Sequence, residues 1–216
     1  MNSRFFYIIV SIVAVILVSP YIRDMGKTGY LITIFLTATI PLVSYYALHA
    51  DRKRAKWLLL IAAPYVALEC TNLFFSNHYL MVAGYVCGSI LYFYIVVLLL
   101  KNLLSHKTIT ADLIYCAISI YLLIGVTWAG IYTVIEGVSP GSFSGISETS
   151  DFLYFSFVTL TTVGFGDAAP LSAFAKRMAI FEAALGSIYM AIIIAMIVGR
   201  YMQAELDSES ETRLKK

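Results

Sequence analysis

The stretch TLTTVGFGD, residues 159–167, decides the fold of this chain. Its two glycines, Gly164 and Gly166, weaken a helix and permit backbone conformations that are closed to other residues. We therefore predict an extended backbone over residues 162–166, although apolar segments lie on both sides of it. Lipid cannot satisfy the peptide groups of such a backbone, so within a bilayer it is tolerated only where it is buried in protein or lines a water-filled path. The sequence predicts that residues 162–166 line such a path.

The spacing of the glycines also predicts where the carbonyl groups point. In a strand of L-residues, successive groups alternate between two sides. Glycines at alternate positions remove this restriction, so four successive carbonyl groups can face one side: those of Thr162, Val163, Gly164 and Phe165. A column of oxygens of this kind can replace the water shell of a cation.

The composition independently indicates an integral membrane protein. The chain has 216 residues, of which 60% are hydrophobic and 13% are charged, whereas soluble domains are roughly half apolar. A net charge of +2 provides no dense basic face, which argues against a nucleic-acid partner. Cys70, Cys87 and Cys116 each lie within an apolar run, so we expect small buried side chains and neither a disulfide framework nor a metal site.

Six apolar segments are long enough to cross a hydrocarbon core, which takes ~20 helical residues. The first segment could instead be a signal peptide, but Ser19-Pro20-Tyr21 is a poor cleavage site, so we interpret the segment as a transmembrane helix. The sequence therefore predicts an all-α integral membrane protein with six transmembrane helices, at residues 5–22, 30–49, 57–75, 79–100, 110–135 and 171–202.

The basic residues predict the orientation, because cytoplasmic loops are enriched in Lys and Arg. With the N-terminus inside, the outer side carries only Arg23, Lys27, Lys176 and Arg177. The inner side then collects Arg4, Arg52, Lys53, Arg54, Lys56, Lys101, Lys107, Arg200, Arg213, Lys215 and Lys216. We therefore predict a multi-pass protein of the cell membrane with both termini in the cytoplasm and with Asp167 toward the outside.

Residues 162–167, TVGFGD, resemble the signature of the tetrameric pore-loop potassium channels, in which four TVGYG loops form a selectivity filter. From residue 110 onward, the order of helix, outer loop, short helix, filter and helix resembles the pore module of that family. Phe165 departs from the usual tyrosine and lacks the hydroxyl group that can bond to the packing around the filter, so we expect filter rigidity to be affected more than ion preference.

The resemblance implies how the chain is organised and what it binds. One pore loop cannot surround an ion, so the filter requires a homotetramer, with K⁺ as the permeant ion at residues 162–165 and no cofactor. The implied domains are a peripheral domain of four transmembrane helices at residues 1–108, a pore domain at residues 109–203 and a short cytoplasmic tail at residues 204–216.

The segment before the filter is predicted to be a re-entrant helix. Residues 151–160 are too few to span a bilayer, and the Ser- and Gly-rich residues 137–150 before them are typical of an exposed turret. Ser150 or Thr149 can cap this helix, and Asp151 places a carboxylate at its positive end.

The resemblance also implies which side chains support the filter. Tyr154 and Phe155 fall where the family packs aromatic residues around the filter, although on the sequence alone they could be core aromatics. Thr161 and Asp167, which flank residues 162–166, are expected to support the filter as well.

The last apolar segment carries Gly186, twenty residues after Gly166, where the family places a glycine hinge. A glycine costs a helix interior about 1 kcal/mol relative to alanine, so either a hinge or a close contact would explain it. A stripe at helical spacing follows, which we assign to an aqueous cavity with a hydrophobic gate near Val198 or Met202. Small residues also favour helix packing, so a packing face is the alternative for Ser187, Met190, Ala191, Ile194, Ala195 and Val198.

Two acidic residues, Glu69 and Glu182, lie well inside predicted spans, where an unpaired charge is costly. Glu182 precedes Gly186, and we predict that it braces the back of the short helix. Glu69 has Asn72 nearby in the sequence but no Lys or Arg. It is either protonated or faces a polar bundle interior with Asn72, and we favour a structural role.

The first four spans resemble the peripheral domain of six-span voltage-gated channels, with one departure. In that family the fourth span carries Arg or Lys at every third position. Residues 78–100 contain neither, and Lys101 lies at the cytoplasmic end. A conventional voltage sensor is therefore not expected. The sequence does not indicate which stimulus opens the channel or whether a separate regulatory subunit takes part.

The sequence thus predicts a subunit of a potassium-selective channel that conducts passively. Three alternatives stay open: a less selective monovalent cation channel, the pore subunit of a potassium transport system that needs a partner, and an accessory subunit without its own current. Such transport systems typically carry four non-identical loops with a single filter glycine, whereas this chain has one loop with two. The chain carries no phosphate-binding loop or catalytic triad, so an enzyme is not expected.

Overall fold

A computed structural model describes residues 4–22, 25–48, 52–75, 77–106 and 110–214. Most of these residues are helical, and four of them form two short strands. The elements are α1 (Arg4–Ile22), α2 (Gly26–Ala47), α3 (Arg52–Phe75), α4 (His78–Ser105), α5 (Ala111–Val138), β1 (Phe143–Ser144), α6 (Asp151–Leu160), β2 (Ala169–Pro170) and α7 (Ala173–Leu214).

Long runs of apolar residues explain the long helices, and local polar groups define several helix ends. The Asn77 side chain accepts a hydrogen bond from the Tyr79 N–H at the start of α4. The Thr110 hydroxyl accepts one from the Leu113 N–H at the start of α5. Both contacts occupy donors that a helix start leaves without a partner.

Helices α1 to α5 share one hydrophobic core. It contains fully buried aliphatic side chains from each of these helices, among them Ile8, Ile12, Ile40, Leu58, Leu91, Leu99 and Leu123. Small residues allow the helices to approach closely. A Cβ atom at Gly84 would lie 2.8 Å from Glu69 Oε1, and one at Gly130 would lie 2.5 Å from Ser89 Oγ.

The helices are those of an all-α membrane protein. Among the described residues, five helices are long and apolar enough to cross a membrane: Gly26–Ala47, Lys56–Phe75, His78–Ser105, Ala111–Val138 and Ala173–Gly199. The first of the six predicted spans, at residues 5–22, corresponds to α1, whose apolar part Arg4–Ser19 is shorter than these five helices. Residue 49 of the predicted second span lies outside the described residues.

Two details differ from the expectations. α7 continues as one helix to Leu214, through the predicted tail at 204–216 as far as it is described. Cys116 is buried as expected, whereas Cys70 is exposed on the chain surface, so the expectation of a buried thiol was wrong for Cys70. Its apolar neighbours in sequence predicted burial, but α3 turns this position away from the bundle.

Candidate functional site

The backbone of residues 162–166 has an alternating conformation. Thr162, Gly164 and Gly166 have φ angles of 59°, 57° and 81°, while the intervening Val163 and Phe165 do not have positive φ. A left-handed residue at every second position is the pattern that lets successive carbonyl groups face one side. Thr162 is the only described non-glycine residue with a positive φ, a conformation that is unfavourable for a β-branched side chain.

The C-terminus of α6 holds the beginning of this segment. The N–H groups of Val163 and Gly164 both donate to the carbonyl oxygen of Val158, at 3.0 and 3.3 Å. The Thr161 hydroxyl donates to the carbonyl oxygen of Phe157 at 2.6 Å. The segment therefore begins directly after the last turn of α6, next to the C-terminal carbonyl groups of that helix. Their partial negative charge favours a cation.

Asp167 connects the end of the segment to α6. The Tyr154 hydroxyl donates to Asp167 Oδ2 at 2.7 Å, and the Tyr154 ring stacks on Phe165 with 6.4 Å between ring centroids. Asp167 lies in the loop outside the spanning helices. The hydrogen bond from Tyr154 lowers the pKa of the Asp167 carboxyl group below its usual range, because it stabilises the charged form.

The turret packs against the same loop. β1 and β2 pair in antiparallel fashion, with Phe143 opposite Pro170 and Ser144 opposite Ala169. A Cβ atom at Gly145 would overlap the carbonyl oxygen of Asp167, so only glycine fits there without a shift. The short sheet and this contact fix the turret beside Asp167. We call this end of the molecule the Asp167 end.

The start of α6 differs from the predicted cap. Ser150 occupies the N-cap position in helical geometry and makes no side-chain cap bond. The Asp151 carboxylate instead accepts hydrogen bonds from the N–H groups of Ser147 and Glu148, at 2.8 and 3.0 Å. Of the two predicted caps, Ser150 or Thr149, the Ser150 cap was wrong because the preceding turn already has helical backbone geometry, and its carbonyl groups accept the first N–H groups of α6.

Glu182 of α7 connects its own helix to α5 and α6. Its side chain is fully buried. Its Oε2 accepts a hydrogen bond from the Tyr132 hydroxyl of α5, and its Oε1 lies 2.5 Å from the Ser156 hydroxyl of α6. The Ser156 hydroxyl also donates to the carbonyl oxygen of Gly125 at 2.8 Å. Glu182 thus lies where the sequence placed it, at the back of the short helix.

The two aromatic residues of α6 point in different directions. Tyr154 faces the filter segment, as described above, and is partly exposed. Phe155 is buried on the opposite side, with its ring centroid 5.0 Å from that of Tyr132 and 5.4 Å from that of Phe143. Only Tyr154 contacts the segment within this chain, and Phe155 belongs to the cluster that anchors α6 to α5.

Gly186 brings α7 against the end of α6. A Cβ atom at this position would overlap the carbonyl oxygen of Leu160, which also accepts a hydrogen bond from Tyr121 at 3.3 Å. α7 is one helix across Gly186. The close contact explains the glycine in this conformation, and the hinge remains a prediction.

The predicted stripe on α7 faces away from the rest of the chain. Ser187, Met190, Ala191, Ile194, Ala195 and Val198 are all exposed, whereas Ala175, Glu182, Gly186 and Ile193 form the buried face. The stripe therefore does not pack on its own chain. Residues 161–167 are exposed as well.

The sequence did not indicate the partners of the two acidic residues. Tyr132 and Ser156 are far from Glu182 in sequence, and only the fold brings them together. Glu69 Oε2 accepts a hydrogen bond from the Tyr30 hydroxyl at 2.6 Å, and the Asn72 amide donates to the same hydroxyl at 3.1 Å. The sequence predicted Asn72 near Glu69, and it gave no indication of the contact with Tyr30.

Two comparisons with known proteins found similar sequences. Residues 120–203 match the family model described as an ion channel. A curated relative, the voltage-gated potassium channel Kch of Escherichia coli (strain K12), is 26% identical over 148 residues, which is 68% of this chain and 33% of the relative. The chain thus spans about a third of that relative's length. No solved structure matches this chain. The matches indicate a channel and not an enzyme, and residues 120–203 are similar to the ion channel family.

Proposed function

We propose that four copies of this chain assemble into a potassium-selective channel that conducts K⁺ passively across the cell membrane. The observation that carries the proposal is the alternation of left-handed backbone at Thr162, Gly164 and Gly166. Carbonyl oxygens of residues 162–165 would replace the water shell of K⁺. Each chain would contribute six transmembrane helices and α6 as the re-entrant pore helix, with both termini in the cytoplasm.

The exposed surface of the single chain supports assembly. Only 11% of the most apolar stretch of Ala173–Gly199 is buried within the chain, and Val163 and Phe165 are 53% and 70% exposed. A fourfold arrangement would surround the filter with four loops and place the stripe from Ser187 to Val198 on an inner cavity. A closed ring of identical interfaces is the usual form of such an oligomer.

We do not propose that membrane voltage opens this channel. In α4 no Lys or Arg precedes Lys101, so this helix lacks the regularly spaced charges that would move in the membrane field. The four peripheral helices, residues 1–108, would therefore respond to another stimulus or to a separate regulatory subunit.

The experiment that tests the proposal is the reversal potential of the purified protein in planar bilayers, with K⁺ on one side and Na⁺ on the other. We expect a reversal near the K⁺ equilibrium potential. Thr162→Ala and Gly164→Ala are expected to abolish it, because both change the left-handed segment. Thr71→Ala is the matched control, since Thr71 is exposed on α3 and its described side-chain hydrogen bond goes to the Leu68 carbonyl oxygen of its own helix.

One observation favours a second candidate, a less selective cation channel. The Phe165 ring stacks on Tyr154 but carries no hydroxyl group that could anchor the filter to α6. A reversal near zero in the bilayer experiment would support this candidate over K⁺ selectivity. A protein that carries no current unless a second protein is added would indicate a transport-system or accessory subunit.

A further inference from the structure

A cavity of about 590 Å³ lies between the peripheral helices and the proposed pore helix. Residues of α1 to α6 surround it, and it reaches the loop at residues 147–150 that precedes α6. Its volume lies in the range of sites that hold small organic molecules. The filter segment does not contribute to its lining, so the cavity is separate from the proposed conduction path.

The lining of the cavity is rich in aromatic rings and hydroxyl groups. Four tyrosines contribute to it, from three different helices: Tyr30, Tyr65, Tyr85 and Tyr92. The rings of Tyr65 and Tyr92 pack edge to face, with 6.1 Å between centroids. Thr33, Thr37, Ser89 and Thr133 add short polar side chains. The faces of tyrosine rings attract cations.

The charges around the cavity have one sign. Among the described lining residues there is no Lys, Arg or His, and Glu148 lies at the loop end. Lys27 and His78 line a smaller adjoining pocket, which shares Gly26, Tyr30, Asn72 and Met81 with this cavity. The deeper part, around Tyr65 and Tyr92, is therefore an environment for a positively charged group and not for an anion.

A hydrogen-bonded chain at one wall connects this environment to a carboxylate. The Asn72 amide donates to the Tyr30 hydroxyl, which donates to Glu69 Oε2. Tyr30 is the hydrogen-bond partner that the structure gives Glu69, and no described basic side chain pairs with this acid. Asn72 Oδ1 is buried and has no hydrogen-bond partner. A half-buried acid with no described basic partner fits a cationic ligand nearby.

We propose that this cavity binds a small organic ammonium ion that carries N–H groups. Its N–H groups would donate to the lining hydroxyl groups, and its charge would lie among the tyrosine rings near Glu69. Charge-assisted hydrogen bonds and cation–π contacts act together in such a site. The proposal concerns binding and does not depend on conduction by residues 162–166.

The test is calorimetric titration of the full-length protein in lipid nanodiscs with 2-phenylethylammonium, and with the neutral 2-phenylethanol as the matched ligand. We expect saturable binding of the amine with a dissociation constant below about 1 mM, and binding of the alcohol at least about tenfold weaker. Added K⁺ should leave amine binding unchanged, because the cavity lies apart from the filter.

Variants assign the binding to the cavity. Glu69→Gln is expected to weaken amine binding by about tenfold or more, and Tyr85→Leu, which removes one ring from the wall, is a second variant in case the first does not fold. Asp112→Asn, at the exposed start of α5 and outside the lining, should bind like the parent protein. Three results would each overturn the proposal: no saturable amine binding, equal binding of amine and alcohol, or amine binding that K⁺ displaces or that both cavity variants retain.

Discussion

The Glu182 carboxyl group connects α5, α6 and α7 through the Tyr132 and Ser156 hydroxyl groups. Ser156 has one hydroxyl hydrogen, while the carbonyl oxygen of Gly125 and Glu182 Oε1 both lie within hydrogen-bond distance of it. A hydrogen on the carboxyl group therefore completes the network. Buried networks of this kind stabilise a structure only when every member has a partner.

The network predicts different outcomes for two substitutions of Glu182. Glu182→Ala leaves the buried Tyr132 hydroxyl group without its acceptor and the buried Ser156 hydroxyl group without its donor, and we expect a loss of about 2–3 kcal/mol in the stability of the folded chain. Glu182→Gln keeps an acceptor for Tyr132 and supplies an N–H for Ser156, so its loss should stay below about 1 kcal/mol. Thermal unfolding of the purified variants measures both. Equal destabilisation by Ala and Gln would show that the network is not satisfied in this way.

At the scale of elements, the contact between α6 and α7 sets the position of residues 162–166, the proposed filter. Leu160 ends α6, and its carbonyl oxygen faces Gly186 of α7 and the Tyr121 hydroxyl of α5. The filter begins two residues later. Any shift of α7 at this contact would therefore be passed to the beginning of the filter.

Gly186→Ala tests this contact. The added Cβ atom would overlap the backbone of Leu160, so the helices must separate, with a cost of about 1–3 kcal/mol. Gly199→Ala is the matched control, because a Cβ atom there meets nothing within 4 Å, and alanine is the better helix former by about 1 kcal/mol. Thermal unfolding should show opposite changes for the two variants. A Gly186→Ala protein as stable as its parent would contradict the tight contact and favour a flexible hinge.

The elements themselves were largely predictable. Continuous apolar runs predicted the long helices, and the shortness of residues 151–160 predicted α6 with the bounds that it has. The two glycines predicted a non-helical segment at 162–166. Contacts between residues distant in sequence were not predictable, because the spacing of residues along one helix does not show which side chains of another helix they contact. Glu182 with Tyr132, and Glu69 with Tyr30, are of this kind.

At the scale of the whole molecule, one chain leaves an extensive apolar surface uncovered on α7 and around the filter. Phe174, Ile180, Ile188, Ile192, Ile194 and Val198 are each more than half exposed. Lipid can cover part of such a surface, but it cannot satisfy the peptide groups of residues 162–166. We therefore expect a homotetramer.

Native mass spectrometry of the detergent-solubilised protein measures the oligomer directly. We expect a dominant species with four times the mass of one chain, and only smaller species after denaturation. A variant that loses apolar contact on α7, Ile188→Gln, should shift the population toward single chains. Leu60→Gln, which changes a comparably exposed residue of α3, is the control. A dominant monomer in the parent protein would exclude the proposed fourfold filter.

The left-handed backbone at Thr162 has a consequence for the order of assembly. A non-glycine residue in this conformation costs about 1–2 kcal/mol, and such conformations persist only where their surroundings fix them. In one chain, Thr162 is exposed, and the bond from its N–H to the Thr159 carbonyl oxygen is its described backbone restraint. We therefore expect a newly inserted monomer to relax at this position, so that the ion path matures only when neighbouring subunits close around it.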